Sequence, residues 1–292
     1  MIEVIAVFGP TASGKTAVGE VLATRLRTEV VSADALQVYR GLPILTNQPT
    51  RPTLLVGIRE LTDEMSVGEY AGLAHDAIDD LVRKTGVALV IGGTGLYLRA
   101  ALADLDVPPR ATKETRERWE EAYDRDADAA YAELLLRDPE AAAIVHPNDR
   151  RRVVRALELA QTGASLAPNR DRLWAGETRR PTLVAGLDVS AGVLSRRIEQ
   201  RTTEMFERGL VDEVRSALAA CDPSRTADKA LGLHEVADLP ADEARGAILA
   251  RTLRYASYQR KWMRRIPGIV MIDGDRPATK VADAILEVAR TR

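Results

Sequence analysis

Apolar and polar positions along the chain follow two patterns, short continuous apolar runs and longer stretches with helical spacing. Val4 to Phe8 is the first apolar run, and Ala17 to Leu26 behind it reads as a helix. A short strand is expected over Thr28 to Asp34, ending on an acidic residue, and another over Leu54 to Ile58. Leu42 to Pro52 between them is rich in Pro, Thr and Asn and reads as loop. Ser66-Val67-Gly68-Glu69 has the spacing of a capping box and opens a helix that runs to about Lys84 and stops at Gly86. Val87 to Ile91 is continuously apolar, as suits a strand buried on both faces of a parallel sheet. Strands alternating with helices in this way predict an α/β protein.

Pro108 and Pro109 punctuate the chain, and the pattern then becomes purely helical: Thr112 to Arg125, Ala127 to Arg137, Pro139 to Val145 and Asp149 to Gln161. After a Pro- and Gly-punctuated loop, Ala164 to Arg180, a strand returns at Thr182 to Asp188. Helices follow over Ser190 to Arg208, closed by Gly209, over Val211 to Ala220, and over about Ala241 to Arg265. Lys229 to Glu235 reads as a glycine-interrupted loop; Ile269 to Ile272 is a last strand and Ala278 to Ala289 a last helix. A helical block between βα units reads as an insertion. The expected division is a core of residues 1–109 and 170–292 with a helical insertion of residues 110–169.

The first strand and helix are joined by Gly9-Pro10-Thr11-Ala12-Ser13-Gly14-Lys15-Thr16. This is the P-loop pattern in its expected strand-to-helix setting, so the fold expected is a P-loop NTPase-like parallel sheet flanked by helices. Successive backbone N–H groups of such a loop form an anion nest, and the helix N-terminus adds partial positive charge. Lys15 supplies a full charge and Thr16 a hydroxyl for Mg²⁺. The loop therefore binds a di- or triphosphate, and the motif leaves open whether that group is ATP or a leaving group. In an open α/β sheet ligands sit beyond the carboxyl ends of strands, which brings Asp34 to the rim that carries Lys15 and Thr16. The alternative for Asp34 is a helix N-cap. Gly92-Gly93-Thr94-Gly95 ends the Val87 strand and permits close backbone approach to a ligand.

Composition narrows the class. The chain has 292 residues, 29% charged and 46% hydrophobic, as in soluble globular proteins. It has no apolar run of bilayer length, and residues 1–8 read as a strand, not a signal peptide. The single cysteine, Cys221, suits a reducing cytoplasm. A formal net charge of −2 argues against nonspecific coating of nucleic acid, although a balanced total can hide a basic face. Two clusters stand out. Arg150, Arg151, Arg152 and Arg155 crowd the start of a helix, where positive charge opposes the dipole, and this favours anion binding. Arg254 to Arg265 interleaves basic residues with Tyr255, Tyr258 and Trp262, which suits RNA through phosphate contacts and base stacking.

Asp34-x-x-Gln37-x-Tyr39 beside Gly-Pro-Thr-Ala-Ser-Gly-Lys-Thr resembles the bacterial tRNA dimethylallyltransferases, which prenylate N6 of the adenosine at tRNA position 37, next to the anticodon. The likeness continues through Gly92 to Tyr97, His146-Pro147-Asn148-Asp149, Arg155 to Glu158, Gln200-Arg201, Gly209-Leu210 and the run from Arg254 through Gln259 to Trp262. It implies dimethylallyl diphosphate as donor, the anticodon stem-loop of tRNA as acceptor, Mg²⁺ as cofactor, and a cytoplasmic monomer that does not bind membranes. It further implies Asp34 as general base, with Thr94 and Arg201 as catalytic residues that help hold the diphosphate. By the same likeness Gly9, Thr11, Ala12, Ser13, Gly14, Lys15 and Thr16 bind the diphosphate. Asp34, Ala35, Leu36, Gln37, Arg151, Arg152, Arg155, Lys229, Gly232 and His234 touch tRNA, and Gln37 is expected to read the base by a bidentate contact. The chain departs from the family at Pro49 to Leu61, which is shorter and lacks a paired histidine motif, and at Leu233-His234. The rivals are a P-loop small-molecule kinase, favoured by the late strand ending at Asp273, and an adenylate isopentenyltransferase, which would not need the arginine-rich insertion.

Overall fold

A computed structural model describes residues 1–105, 111–167 and 176–292. The chain forms two compact units, Met1–Asp104 with Leu173–Arg292, and Leu105–Arg172. The boundaries expected from sequence, between 109 and 110 and between 169 and 170, lie outside the described residues.

The larger unit is built on five parallel strands, β1 (Val4–Phe8), β2 (Val30–Ser32), β3 (Ala88–Gly92), β4 (Thr182–Asp188) and β5 (Val270–Asp273), in the order β2-β3-β1-β4-β5. In register, Phe8 lies beside Gly92 on one flank and Gly186 on the other. Alternation sorts the side chains onto two faces. Ile5, Val7, Leu89, Ile91, Leu183 and Leu187 share one core with Val18 and Leu22 of α1 (Lys15–Leu26), and with residues Val281, Ala282 and Ile285 near the C-terminus. The α2 helix (Val67–Thr85) packs on β3 and on α3 (Gly95–Leu102). Ser66 Oγ accepts from Glu69 N at 3.1 Å, so half of the expected capping box forms; the Glu69 carboxylate pairs with Arg59 instead.

The smaller unit contains α4 (Lys113–Arg125), α5 (Ala127–Arg137), α6 (Pro139–Ile144) and α7 (Arg150–Gln161). Each begins behind a capping side chain, Thr112, Asp126, Asp138 and Asp149 in turn, which accepts a backbone N–H of the first turn. Trp119, Leu134, Val153 and Leu157 form its core. The Glu158 carboxylate is buried beside this core and accepts from Arg116 Nε (2.6 Å) and Arg155 Nη1 (2.9 Å). Burial opposes its charge, and the two guanidiniums outweigh that, holding the carboxyl below its usual range.

After β4 come α8 (Ala191–Glu207), α9 (Leu210–Ala220), α10 (Leu233–Asp238), α11 (Ala241–Met263) and, behind β5, α12 (Ala278–Thr291). Three segments differ from the sequence expectation. Leu54 to Ile58 is not a strand, because Leu55 and Gly57 take positive φ (66° and 61°) and the backbone cannot stay extended. It contributes one isolated bridge, Val31 to Leu54. The stretch read as a loop at Lys229 to Glu235 includes the start of α10, which Gly232 opens at φ 102°. Thr28 to Asp34 yields three strand residues before the chain turns at the rim.

Candidate active site

All five strands point their carboxyl ends toward one rim, where the loops after β1, β2 and β3 meet. The loop after β1 turns through two left-handed residues, Ala12 (φ 61°) and Gly14 (φ 89°). Glycine takes such a φ freely; alanine does so at a strain cost, of the kind that surrounding structure imposes at ligand sites. Lys15 begins α1 behind Gly14, and its Nζ donates to Pro10 O at 2.7 Å. Burial brings the Lys15 amine down to about 7; the Asp34 carboxylate works against that shift and Arg201 adds to it.

Arg201 reaches the loop from α8 and donates from Nη2 to Thr11 Oγ1 at 2.6 Å. Its ionised form is disfavoured by burial, which the Asp34 charge partly offsets. Among the described residues two buried side-chain polar atoms have no hydrogen-bond partner, Arg201 Nε and Ser13 Oγ. Both belong to this rim. Buried polar atoms are almost always paired, so the orphaned Arg201 nitrogen beside a half-buried lysine on the cleft wall marks a place built for an anion, while the Ser13 hydroxyl is turned toward Gly9.

Asp34 ends the turn after β2. Its Oδ1 accepts from Leu36 N (3.0 Å) and Gln37 N (3.4 Å), leaving Oδ2 without either bond. Asp34 thus caps a turn, not a helix as the alternative reading had it, and it lines the cleft. Thr94 Oγ1 accepts from Ala35 N at 3.3 Å and ties that turn to the loop after β3. Tyr255 on α11 hydrogen-bonds through its hydroxyl to Thr94 and Gln259; its phenol is pushed up to about 12, first by burial and then by the charges of Asp34 and Tyr258, against those bonds.

These groups line a cleft of about 400 Å³ that includes Lys15, Thr16, Asp34, Arg197, Arg201 and Glu204. A smaller compartment of about 100 Å³ shares Thr11, Asp34 and Arg201, and its other walls are mainly apolar: Leu36, Leu45, Met205, Ala230, Leu231 and Ile248. Glu213 shapes both spaces by accepting Ile44 N and Leu45 N, each at 2.7 Å, which holds the loop bearing Leu45, Thr46 and Asn47. Another cavity of about 330 Å³ touches Thr16 and Gln37 but neither Lys15 nor Asp34.

Of the residues that sequence placed on the diphosphate, Thr11, Ala12, Gly14, Lys15, Thr16 and Arg201 line the larger cleft; Gly9 and Ser13 belong to the same loop but not to its wall, and Thr94 stands behind it, tied to Ala35. Ala35, Leu36 and Gln37 lie at this rim too, but the Gln37 amide is occupied at both ends. Its Oε1 accepts from Ser32 Oγ (2.9 Å), and its Nε2 donates to Asn47 O (3.0 Å) and Thr46 O (3.3 Å). The bidentate base contact expected of it is closed in this arrangement. Gly232 N donates to Glu235 Oε2, His234 Nε2 sits 3.0 Å from Asp228 Oδ1, and Lys229 ends the turn that leads to Ala230 and Leu231 of the apolar compartment. In the smaller unit Arg150 is held by both oxygens of Asp124 and Arg155 by Glu158, so two of the four arginines read as an anion cluster serve carboxylates of the protein. Arg151 and Arg152 are exposed and carry no ion pair among the described residues.

The sequence reading set Tyr255 among aromatics suited to base stacking and Gln259 in a run shared with the family, and gave neither a place at this rim. Their spacing of four places them on one face of α11, a signal available in the sequence. The feature that kept a kinase in view also changes. β5, which ends in Asp273, is an edge strand, and Asp273 accepts from Asp275 N and pairs with Arg276 at 3.1 Å.

Comparison with known proteins follows the same line. A family model described as IPP transferase matches residues 37–266. The chain is 39% identical over 285 residues to a tRNA dimethylallyltransferase of Streptomyces coelicolor, covering 93% of this chain and 90% of that protein. It is 38% identical over 310 residues to one from Kineococcus radiotolerans, covering 98% and 96%. The solved tRNA isopentenylpyrophosphate transferase of Bacillus halodurans aligns with a TM-score of 0.72 at 29% identity, over 99% of this chain and 96% of that one.

Proposed function

The chain belongs to the IPP transferase family, and we propose that it transfers a dimethylallyl group from dimethylallyl diphosphate to N6 of the adenosine at tRNA position 37, releasing diphosphate. The observation that carries this reading is the pairing of an anion cradle with an apolar compartment across Asp34. The exocyclic amine of adenine is a poor nucleophile because its lone pair is delocalised into the ring. A carboxylate within reach of N6–H takes the proton as the new C–N bond forms, which is typically worth ~10²–10⁴-fold. Asp34 is placed for that step, with Oδ1 held by the turn and Oδ2 outside it.

As the allylic C–O bond breaks, negative charge collects on the diphosphate. Lys15, the amides of the phosphate loop and the guanidinium of Arg201, whose Nε is unpartnered, supply donors for it. The compartment walled by Leu36, Leu45, Met205 and Ile248 suits a five-carbon chain, which on entering it would displace water from the allylic centre. An adenosine stacked in the anticodon loop must be extruded to enter.

The donor set also fits Mg²⁺. Thr16 offers a hydroxyl on the cleft wall, and among the described residues no three His, Cys, Asp or Glu side chains cluster into a protein cage. An ion that keeps few protein ligands and takes the rest from phosphate oxygens matches this arrangement. Bound there, Mg²⁺ would neutralise charge on the departing diphosphate. Cys221 is a free thiol, which fits the reducing cytoplasm we propose for the protein, and no helix among the described residues is long and apolar enough to cross a membrane.

The test is direct: incubate the protein with unmodified tRNA, Mg²⁺ and dimethylallyl diphosphate. Digestion and mass spectrometry should find one adenosine heavier by a dimethylallyl group, with diphosphate released only when tRNA is present. ATP turnover without prenylated RNA would overturn the reading.

A further inference from the structure

Gln259 is 3% exposed, and its carboxamide spans two loops that belong to different strands. Its Oε1 accepts from Thr11 N at 2.7 Å, in the loop after β1. Its Nε2 donates to Gly93 O at 2.8 Å, in the loop after β3. The strands beneath are already in register, Phe8 beside Gly92, but the loops that leave them have no other shared ladder. The contact is also tight. A Cβ on Gly93 would lie 2.5 Å from Gln259 Nε2, so the glycine is needed for the amide to fit.

Each end of this bridge leads to one half of the chemistry. On one side Thr11 receives Arg201 through its hydroxyl, so the residue that positions the cradle is held at N by α11 and at Oγ1 by α8. On the other side, the residue after Gly93 is Thr94, which holds Ala35 N and with it the turn of Asp34. We infer that Gln259 is a positioning residue whose amide fixes the separation between the leaving-group cradle and the Asp34 turn. Its side chain borders the cleft, but both ends of its amide are taken by these two loops. Small displacements of reacting groups are costly, since a 1 Å error can lower the rate ~10²-fold. This inference rests on the prenyl-transfer reading for its kinetic arm alone.

The chemistry of the bridge supplies its own test, because one atom must accept while the other donates. In Gln259→Glu the shape is kept, but an ionised carboxylate cannot donate to Gly93 O. A protonated one can. The variant-to-wild-type ratio of kcat should therefore be ~10–100-fold below one at pH 8.5 and climb as pH falls toward 6, with KM for dimethylallyl diphosphate within a few-fold. Circular dichroism at each pH shows that the variant stays folded over that range, so a change in folded fraction cannot produce the climb. Gly93→Ala breaks the same contact from the other side and gives a second variant. If both act through one bridge, the double variant loses little more than the worse single one.

Hydrogen exchange decides the point without any assay of prenyl transfer. In both variants, peptides covering residues 9–16 and 91–96 should exchange at least threefold faster at pH 8.5, with the rest of the sheet unchanged. A pH-independent kcat ratio in an active enzyme, or exchange in those peptides equal to wild type, overturns the inference. Wild-type protein that prenylates no RNA would refute the proposed function, and exchange would still judge Gln259.

Discussion

Arg201 Nη2 donates to Thr11 Oγ1 at 2.6 Å, so a helix 190 positions further along the chain holds the phosphate loop. The same guanidinium is disfavoured in its charged form by burial and has an unpaired Nε. A charge kept in such a place costs stability and is repaid by a ligand. Replacing Arg201 by Met, which keeps much of the length without charge, should therefore act with opposite signs. The melting temperature of the ligand-free protein should hold or rise, while kcat falls ~10²–10³-fold. A thermal scan and steady-state kinetics on one preparation check both halves.

Asp34→Asn separates the two duties of that residue. The asparagine oxygen still accepts from Leu36 N and Gln37 N, so the turn survives. The proton acceptor is lost. Turnover should fall ~10²–10⁴-fold while inorganic pyrophosphate, measured by calorimetry, binds within a few-fold of wild type. Near-normal turnover would remove Asp34 from the role of base.

Lys15 gives a pH dependence that can be worked out from burial. In the free protein its amine titrates near 7, against an ordinary value of 10.5. A diphosphate beside it favours the charged form, so between those values binding must take up a proton. Stability of the ligand-free protein runs the same way: Lys15 costs nothing above about 10.5, and the cost grows as pH falls toward 7 and then levels off. Calorimetry with pyrophosphate at pH 8.5 in buffers of different ionisation enthalpy should show more proton uptake for wild type than for Lys15→Arg, whose charge is permanent. Equal uptake in the two proteins would place the Lys15 titration outside this window.

Much of the fold was legible because its signals are local. The apolar runs at Val4, Val87 and Thr182 are short and bounded by Gly9, by Gly86 and Gly92, and by Pro181, which marks them as strands, and Thr112, Asp126 and Asp138 cap the helices that their types predict. The expected strand at Leu54 to Ile58 failed for a local reason too, since Leu55 takes a left-handed φ that its side chain does not advertise. What stayed hidden was tertiary. Gln37 looks like a free hand in sequence, and Ser32, Thr46 and Asn47 close it only once the chain has folded. Arg155 looks like an anion ligand until Glu158 is seen to be buried beside it. Ser13 and Arg201 could be placed on the diphosphate, but their orphaned atoms could not be foreseen.

The arginines of α7 divide by the same logic, and this makes the RNA face testable. Arg151 and Arg152 are exposed and have no ion pair among the described residues, so each is available to a phosphate. Arg155 is not, because its guanidinium serves the buried Glu158, which also depends on Arg116. Phosphate contacts release counterions, and each one lost flattens the dependence of binding on salt by nearly one unit of slope. Replacing Arg151 and Arg152 together by Ala should flatten log K against log[salt] for tRNA by ~1–2 and leave the melting temperature unchanged. Arg155→Ala should do the reverse. It leaves a buried carboxylate short of a partner, so the protein loses stability, while the salt slope changes by much less than one. Filter binding from 50 to 300 mM salt, a range of about sixfold in ionic strength suited to such slopes, measures the first effect. Thermal unfolding measures the second. A slope that responds to Arg155 and ignores Arg151 and Arg152 would mean that Glu158 releases its partner when RNA binds, and the division drawn here would be wrong.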